Sequence, residues 1–122
     1  MRGIGIDLCE IERMERIMQQ TPGFLTKHYT EEERAYIQAR GQAGAQSAAA
    51  MFAAKEAFLK ALGTGLGGVA MREIGVAHDA SGAPSYALSD AALEKLRLKG
   101  ASQAWLSLTH EAGVAAAVCV IE

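Results

Sequence analysis

Residues 48–62 form a nearly continuous apolar segment, which predicts a buried helix ending at the glycine-rich stretch 63–68. Three charged side chains interrupt it, Lys55, Glu56 and Lys60. Charges in an apolar helix are costly unless they are paired or solvated. Glu56 and Lys60 are four residues apart and share a helix face. A carboxylate beside an ammonium suits a ligand carrying phosphate and a metal ion, although the spacing alone favours an ordinary surface pair worth about 0.2–0.5 kcal/mol.

In the N-terminal segment, residues 2–8, large apolar residues alternate with glycine or aspartate, which predicts a strand with two unlike faces. The apolar face, which is expected to lie in the core, comprises Ile4, Ile6 and Leu8, and the other comprises Gly3, Gly5 and Asp7. Glycine within a strand usually marks close approach by a ligand or by another backbone, here a packed helix. Asp7 is therefore either a ligand-binding carboxylate or the cap of the following helix.

Asp7 and Glu56 together offer two hard oxygen ligands, with Lys60 nearby. Mg²⁺ is commonly held by one or two carboxylates, several waters and the phosphates of a substrate. The sequence therefore predicts a Mg²⁺ site that is completed by a phosphate-bearing substrate, rather than a self-sufficient metal cage.

Composition limits the class of protein. The chain has 122 residues, 50% of them apolar, as expected for one domain over residues 1–122 with a normal core. A formal net charge of −2 argues against a general nucleic-acid-binding protein. No apolar segment is long enough to span a membrane and no export signal is visible, so we expect a cytoplasmic protein. Cys9 and Cys119 are expected to be small buried thiols.

The order of predicted elements indicates an α+β fold with a mostly antiparallel sheet wrapped on the long central helix. Residues 114–121 are nearly all apolar, as expected for a central strand buried on both faces. The long helix is apolar on more than one stripe, which suits either contact with another subunit or full burial. Helices are predicted over residues 10–20, 24–29, 30–40, 48–62 and 89–99, and strands over 2–8, 73–78, 85–88, 103–109 and 113–121.

The stretch 63–68 matches G-x-G-x-x-G by letter, but it follows a helix rather than a strand, so it is not a dinucleotide-binding fingerprint. Gly63 or Gly65 is expected to end the helix in left-handed geometry. The small residues would also let a ligand lie beside Lys60.

Two segments together resemble the signatures of 4′-phosphopantetheinyl transferases, and the chain length is that of the short bacterial type, the holo-acyl-carrier-protein synthases. They are Gly3-Ile-Gly-Ile-Asp7, followed by Arg13, and Phe52-Ala-Ala-Lys-Glu-Ala-Phe-Leu-Lys60, running into Gly63-Thr-Gly65. A Gly82-x-Pro84 turn and Ser107-Leu-Thr-His110 extend the resemblance. It implies transfer of the phosphopantetheine arm of coenzyme A to a serine of acyl carrier protein, releasing adenosine 3′,5′-bisphosphate. It also implies a homotrimer with active sites between subunits.

The resemblance implies roles for individual residues. Asp7 and Glu56 would hold Mg²⁺ against the pyrophosphate, and Lys60 would neutralise a phosphate oxygen. The serine proton would pass to Glu56 or to a water on the metal, and the sequence leaves both open. Lys55, off the Glu56 face, is expected to support the site without contacting phosphate. His110, at the tip of a predicted hairpin, is implied near a coenzyme A phosphate. The implied coenzyme A contacts are Lys60, Gly63, Thr64, Gly65 and His110.

Arg13 is expected to meet the acidic helix of the carrier protein, since arginine suits bidentate contact with carboxylates. The chain departs from the family at two positions that usually carry basic residues, where it has Met51 and Ala83. Those positions would serve the 3′-phosphate of coenzyme A. The chain is therefore expected either to bind coenzyme A less tightly or to recruit Arg40, Arg72 or a neighbouring subunit.

Two other functions stay open at this stage. One is a catalytically weak homologue that binds coenzyme A or a carrier protein; Asp7, Glu56 and Lys60 speak against it, and the missing basic residues keep it open. The other is a Mg²⁺-dependent nucleotide hydrolase, which would generally need more carboxylates near Glu56 than this chain offers.

Overall fold

The computed structural model describes residues 1–63 and 68–122, and it confirms the predicted α+β fold. In the described residues each predicted helix and strand is present, with bounds shifted by a few residues. The elements are β1 (Gly3–Glu10), α1 (Ile11–Gln20), α2 (Phe24–His28), α3 (Glu31–Ala39), α4 (Gly44–Leu62), β2 (Ile74–His78), β3 (Pro84–Leu88), α5 (Asp90–Leu98), β4 (Ala104–Glu111) and β5 (Val114–Ile121).

The strands form two antiparallel sheets rather than one. A three-stranded sheet has the order β1-β5-β4, and β2 pairs with β3 in a separate two-stranded sheet. The turn between β4 and β5 consists of Ala112 and Gly113, whose φ angles of 53° and 80° match the right-handed twist of the flanking strands. Because the turn is so short, β4 continues to Glu111, so His110 lies within the strand opposite Ala115. The prediction that His110 lies at the hairpin tip is therefore wrong.

The central helix α4 packs across β1 and β5, as predicted, and it begins at Gly44, four residues before the predicted start at 48. Its closest approach is to the glycines of β1. A Cβ atom on Gly3 or Gly5 would overlap the carbonyl oxygen of Ala61 or Ala57, respectively. The two glycines therefore serve close packing of a helix backbone against a strand backbone. This contact fixes where the last turns of α4 lie relative to Asp7.

The prediction that the apolar face of β1 lies in the core is wrong. Ile4, Ile6 and Leu8 are 58%, 63% and 65% exposed, and Trp105 of β4 is 54% exposed. The physical reason is that the backbone of α4 packs directly against Gly3 and Gly5, which leaves the apolar face outward. The prediction that residues 114–121 are buried on both faces is also wrong, because buried and partly buried residues alternate along β5 and only one of its faces lies in the core. In the single chain, the three-stranded sheet thus exposes an apolar face to solvent.

Smaller predictions have mixed outcomes. Asp7 does not cap α1, because the N-cap is Glu10 and it makes no side-chain cap hydrogen bond. Gly63 ends α4 with φ of 77°, as predicted. Cys9 and Cys119 are both free thiols; Cys119 is buried and Cys9 is only partly so. In the described part of the chain, no helix is long and apolar enough to cross a membrane.

Candidate active site

Asp7 and Lys60 meet where β1 passes the last turns of α4. The Lys60 ammonium donates to the Asp7 carboxylate, with 2.9 Å between Nζ and Oδ1, and to the Ile6 carbonyl oxygen at 3.0 Å. Asp7 lies on the glycine face of β1, so the close packing of that face holds the carboxylate against α4. The hydrogen bond to Asp7 raises the pKa of Lys60, which therefore stays charged at neutral pH. No ion pair joins Lys60 to Glu56 among residues 1–63 and 68–122, so the ordinary surface pair is not formed.

Glu56 lies beside Asp7 and forms no ion pair within residues 1–63 and 68–122. Partial burial raises the pKa of Glu56, and the negative charge of Asp7 raises it further, against the opposing effect of Lys60. Two carboxylates that repel each other in this way are stabilised when a cation binds between them.

Both carboxylates line one cavity of about 290 Å³. Arg13 of α1 lines it as well, so the structure brings together three residues that the sequence analysis singled out. The remaining wall is mostly apolar and comprises Leu8, Cys9, Met14, Ile17, Phe24 and Phe52. The cavity lining thus combines three charged side chains with a mostly apolar remainder.

The residues at this cavity fit a magnesium ion that relies on its substrate. In the described ranges, no group of three or more His, Cys, Asp or Glu side chains could hold a metal. Asp7 and Glu56 supply two oxygen ligands, and Mg²⁺ typically keeps waters and substrate phosphates in its other positions. Partial burial and, after it, repulsion by Asp7 raise the pKa of Glu56, and a divalent cation would relieve that repulsion.

Lys55 is fully buried and plays a different part from Lys60. Its ammonium donates to both Glu33 carboxylate oxygens, at 2.7 and 2.9 Å, and to the carbonyl oxygens of Met71 and Ile74 at 3.2 and 2.9 Å. Burial lowers the pKa of Lys55, and the Glu33 carboxylate opposes that shift. Lys55 therefore joins α4 to α3 and to the segment after the glycine-rich stretch, away from the cavity of Asp7 and Glu56.

Sequence reasoning missed Glu33 as the partner of Lys55. The pattern starting at Thr30 predicted a capped helix, and the capping box is present: Thr30 Oγ1 accepts from the Glu33 amide, and Glu33 Oε1 accepts from the Thr30 amide. The same carboxylate also accepts from the Val76 amide at 2.9 Å. The sequence did not show that both side chains are almost completely buried, and that burial is what requires the two charges to pair.

A second cavity, of about 310 Å³, contains His110 together with Arg40. His78, which sequence reasoning missed, lines it as well. This cavity shares no lining residue with the one that contains Asp7 and Glu56. Arg72, the other arginine considered for phosphate binding, does not line the second cavity. Met51, which stands where the family usually has a basic residue, is buried in the core.

Two of the predicted ligand residues, Thr64 and Gly65, lie outside the described residues. Gly63 is described: it is exposed, and a Cβ added to it would lie 3.7 Å from the Lys99 ammonium. The expectation that residues 63–65 contact a ligand therefore stays a prediction.

Comparisons with known proteins give a single family. The family model described as the 4′-phosphopantetheinyl transferase superfamily matches residues 3–119. The holo-[acyl-carrier-protein] synthase of Treponema denticola is 44% identical over 120 residues, covering 98% of this chain and 97% of that protein.

Solved structures agree. The holo-[acyl-carrier-protein] synthase of Neisseria meningitidis superimposes with a TM-score of 0.89 at 36% identity, covering 99% of this chain and 98% of that one. The Helicobacter pylori enzyme, solved in complex with coenzyme A, has a TM-score of 0.82 at 30% identity and covers 98% of this chain and 99% of that one.

Proposed function

Because the chain belongs to the 4′-phosphopantetheinyl transferase superfamily, we propose that it transfers the 4′-phosphopantetheine group of coenzyme A to a serine of apo acyl carrier protein. The family predicted from the two sequence motifs is confirmed. The observation that carries the proposal is that Asp7 and Glu56 line one cavity, while Lys60 donates a hydrogen bond to Asp7 beside it. These are the residue types that a reaction at a pyrophosphate requires.

Asp7 and Glu56 would hold Mg²⁺ in this proposal. When bound, the ion would withdraw negative charge from the pyrophosphate oxygens of coenzyme A. The apolar wall of the same cavity suits the uncharged pantetheine arm that is attached to the reacting phosphate.

The chemical step forms one bond and breaks one. The serine hydroxyl oxygen bonds to the β-phosphorus of coenzyme A, while the bond from that phosphorus to the bridging oxygen breaks and adenosine 3′,5′-bisphosphate leaves. Glu56, whose carboxylate lines the cavity, would accept the serine proton. Lys60, held by Asp7 and the Ile6 carbonyl, places a fixed positive charge beside the phosphate oxygens.

Arg13 provides a site for the carrier protein. It is exposed on α1 and lines the cavity of Asp7 and Glu56, so a carboxylate that pairs with Arg13 would lie next to the reaction centre. An acidic helix of the carrier would thereby present its serine to the coenzyme A pyrophosphate.

A homotrimer with active sites between subunits is supported by two features. The outer face of the three-stranded sheet is apolar and exposed, which is costly unless another surface covers it. The cavity of His110 is separate from that of Asp7 and Glu56, although coenzyme A has charged groups at both its pyrophosphate and its ribose. Two neighbouring subunits would each supply one cavity to the same substrate.

A steady-state transfer assay with apo carrier protein, coenzyme A and Mg²⁺ tests the site. Lys60→Met removes the charge that is proposed to stabilise the developing oxyanion, so kcat should fall by about a hundredfold or more. Lys27→Met is the matched control, because Lys27 is exposed and, in the described part of the chain, makes no ion pair with Asp7. EDTA should abolish turnover by the wild-type protein. Turnover that survives both EDTA and Lys60→Met would overturn the proposed site, and coenzyme A binding without turnover would favour the catalytically weak homologue.

A further inference from the structure

We infer that the buried pair of Glu33 and Lys55 positions Glu56 for the proposed metal ion, by fixing the rotation of α4 about its axis. With that rotation fixed, the Glu56 carboxylate stays in the cavity wall beside Asp7. This inference rests on the proposed function and deepens it. Neither Glu33 nor Lys55 lines that cavity, so both are positioning residues that act through α4. The participation of Glu33 and the way in which the pair acts are the new elements.

The first observation is how firmly Lys55 is held on one side of α4. Its side chain is fully buried, and its ammonium lies 2.7–3.2 Å from four oxygens, the two of the Glu33 carboxylate and the carbonyl oxygens of Met71 and Ile74. The ammonium also lies 5.1 Å from the centroid of the Tyr29 ring. Lys55 therefore cannot move without loss of several contacts at once.

The partner carboxylate is fixed as well. Glu33 accepts from the backbone amides of Thr30 and Val76, at 2.8 and 2.9 Å, so it is tied to the start of α3 and to β2. Tyr29, between α2 and α3, donates from its hydroxyl to the Ala48 carbonyl oxygen of α4 at 2.7 Å. This side of the fold thus holds α4 at two points that lie about two turns apart.

The opposite constraint on α4 comes from β1. A Cβ atom on Gly5 would overlap the Ala57 carbonyl oxygen, so the backbones of α4 and β1 are in direct contact there. Lys55 and Ala57, the residues on either side of Glu56, are both fixed, one through its side chain and the other through its backbone. Successive residues of an α-helix point about 100° apart, so Glu56 projects between these two contacts.

A small rotation of α4 would be enough to disrupt the metal site. The Glu56 carboxylate extends roughly 6 Å from the helix axis, since the Cα atoms themselves lie about 2.3 Å from it. A rotation of about 10° therefore moves the carboxylate by about 1 Å. Mg²⁺ requires ligands at about 2.0–2.1 Å in near-octahedral geometry, so a displacement of that size weakens one of its two protein ligands.

The test compares a double variant with a matched core variant. Glu33→Gln combined with Lys55→Met keeps similar side-chain shapes and removes both charges. Leu96→Ala is the control, because Leu96 is buried in α5 and does not line the cavity, so its truncation destabilises the core alone. Glu33→Gln alone is a milder second variant, in which the Lys55 ammonium keeps its backbone acceptors. Urea denaturation first verifies that each variant is folded at the assay temperature.

Calorimetric titration of Mn²⁺ into protein saturated with coenzyme A, without carrier protein, measures the metal site in the absence of transfer. The double variant should bind Mn²⁺ at least about tenfold more weakly than the wild type, as is typical when residues that orient metal ligands are replaced. Glu33→Gln alone should weaken binding less, and Leu96→Ala should bind within twofold of the wild type. In the transfer assay, the double variant should need correspondingly more Mg²⁺ for half-maximal rate, while KM for the carrier protein stays within twofold.

Equal Mn²⁺ affinities in the wild type and the double variant, or an equal loss of affinity in Leu96→Ala, would overturn the inference. Mn²⁺ binding by the wild type without any transfer would contradict only the proposed function, since the comparison of variants would still decide the inference. Absence of Mn²⁺ binding by the wild type would overturn the inference together with the proposed metal site.

Discussion

Replacement of Lys55 by Met should lower the free energy of unfolding substantially, because it removes the charge that neutralises a buried carboxylate. The side chains of Lys55 and Glu33 are 0% and 1% exposed, and 2.7 Å separates Nζ from Oε1. Methionine keeps most of the apolar stem, so the change isolates the ammonium. Removal of one partner of such a pair generally costs about 3–5 kcal/mol, since the remaining charge stays buried.

The lower part of that range applies here. After the substitution, the Glu33 carboxylate still accepts from the backbone amides of Thr30 and Val76, at 2.8 and 2.9 Å. The carbonyl oxygens of Met71 and Ile74 lose their donor at the same time. We therefore expect a loss of about 3 kcal/mol, a large share of the roughly 5–15 kcal/mol that stabilises a typical domain.

Urea denaturation followed by circular dichroism measures this loss. Protein concentration is kept constant because association shifts apparent stability. Lys55→Met combined with Glu33→Gln removes both charges and should be more stable than Lys55→Met alone. A single substitution that costs less than about 1 kcal/mol, or a double substitution that costs the sum of the two single ones, would refute the reasoning that a buried charge pair joins α4 to α3.

Three further predictions concern packing, the active-site carboxylate and assembly. Gly5→Ala places a methyl group against the Ala57 carbonyl and should cost about 1–3 kcal/mol in urea denaturation, whereas Gly23→Ala, with open space around it, should cost far less. Because the pKa of Glu56 is raised, the folded state favours the protonated carboxyl. Ionisation of Glu56 therefore lowers the free energy of unfolding as the pH rises from the ordinary carboxyl range through that raised pKa. Glu56→Gln should thus be more stable by up to about 1 kcal/mol at pH 7–8, lose that advantage near pH 4, and lack transfer activity. Ile6→Lys should convert the proposed trimer into monomers in sedimentation velocity, and a trimer that persists would place the interface elsewhere.

Parts of the fold could be predicted because they depend on neighbours in sequence. The capping box of α3 involves Thr30 and Glu33 only, and the left-handed end of α4 needs only Gly63. The buried face of β1 could not be predicted in this way. Alternation shows that the strand has two faces, but which of them is buried depends on whether α4 packs against the glycines or against the isoleucines.

The candidate site is likewise predictable from the sequence only in part. Asp7, Glu56 and Lys60 could be predicted because charges in apolar segments stand out, and the glycine packing of β1 explains why they meet. Two other contacts depend on tertiary structure and leave no local signal. Glu33 reaches Lys55 across 22 residues of sequence, and His78 reaches its cavity through packing of β2 against α3.

The most direct test of the central claim is the intact mass of apo acyl carrier protein after incubation with this protein, coenzyme A and Mg²⁺. The account predicts a gain equal to one phosphopantetheine group, which is absent with EDTA or with Glu56→Gln and present with the control Glu31→Gln on the exposed start of α3. An unchanged carrier mass, with free phosphopantetheine in solution, would contradict transfer and indicate a hydrolase. A full gain with Glu56→Gln would contradict the assigned active site.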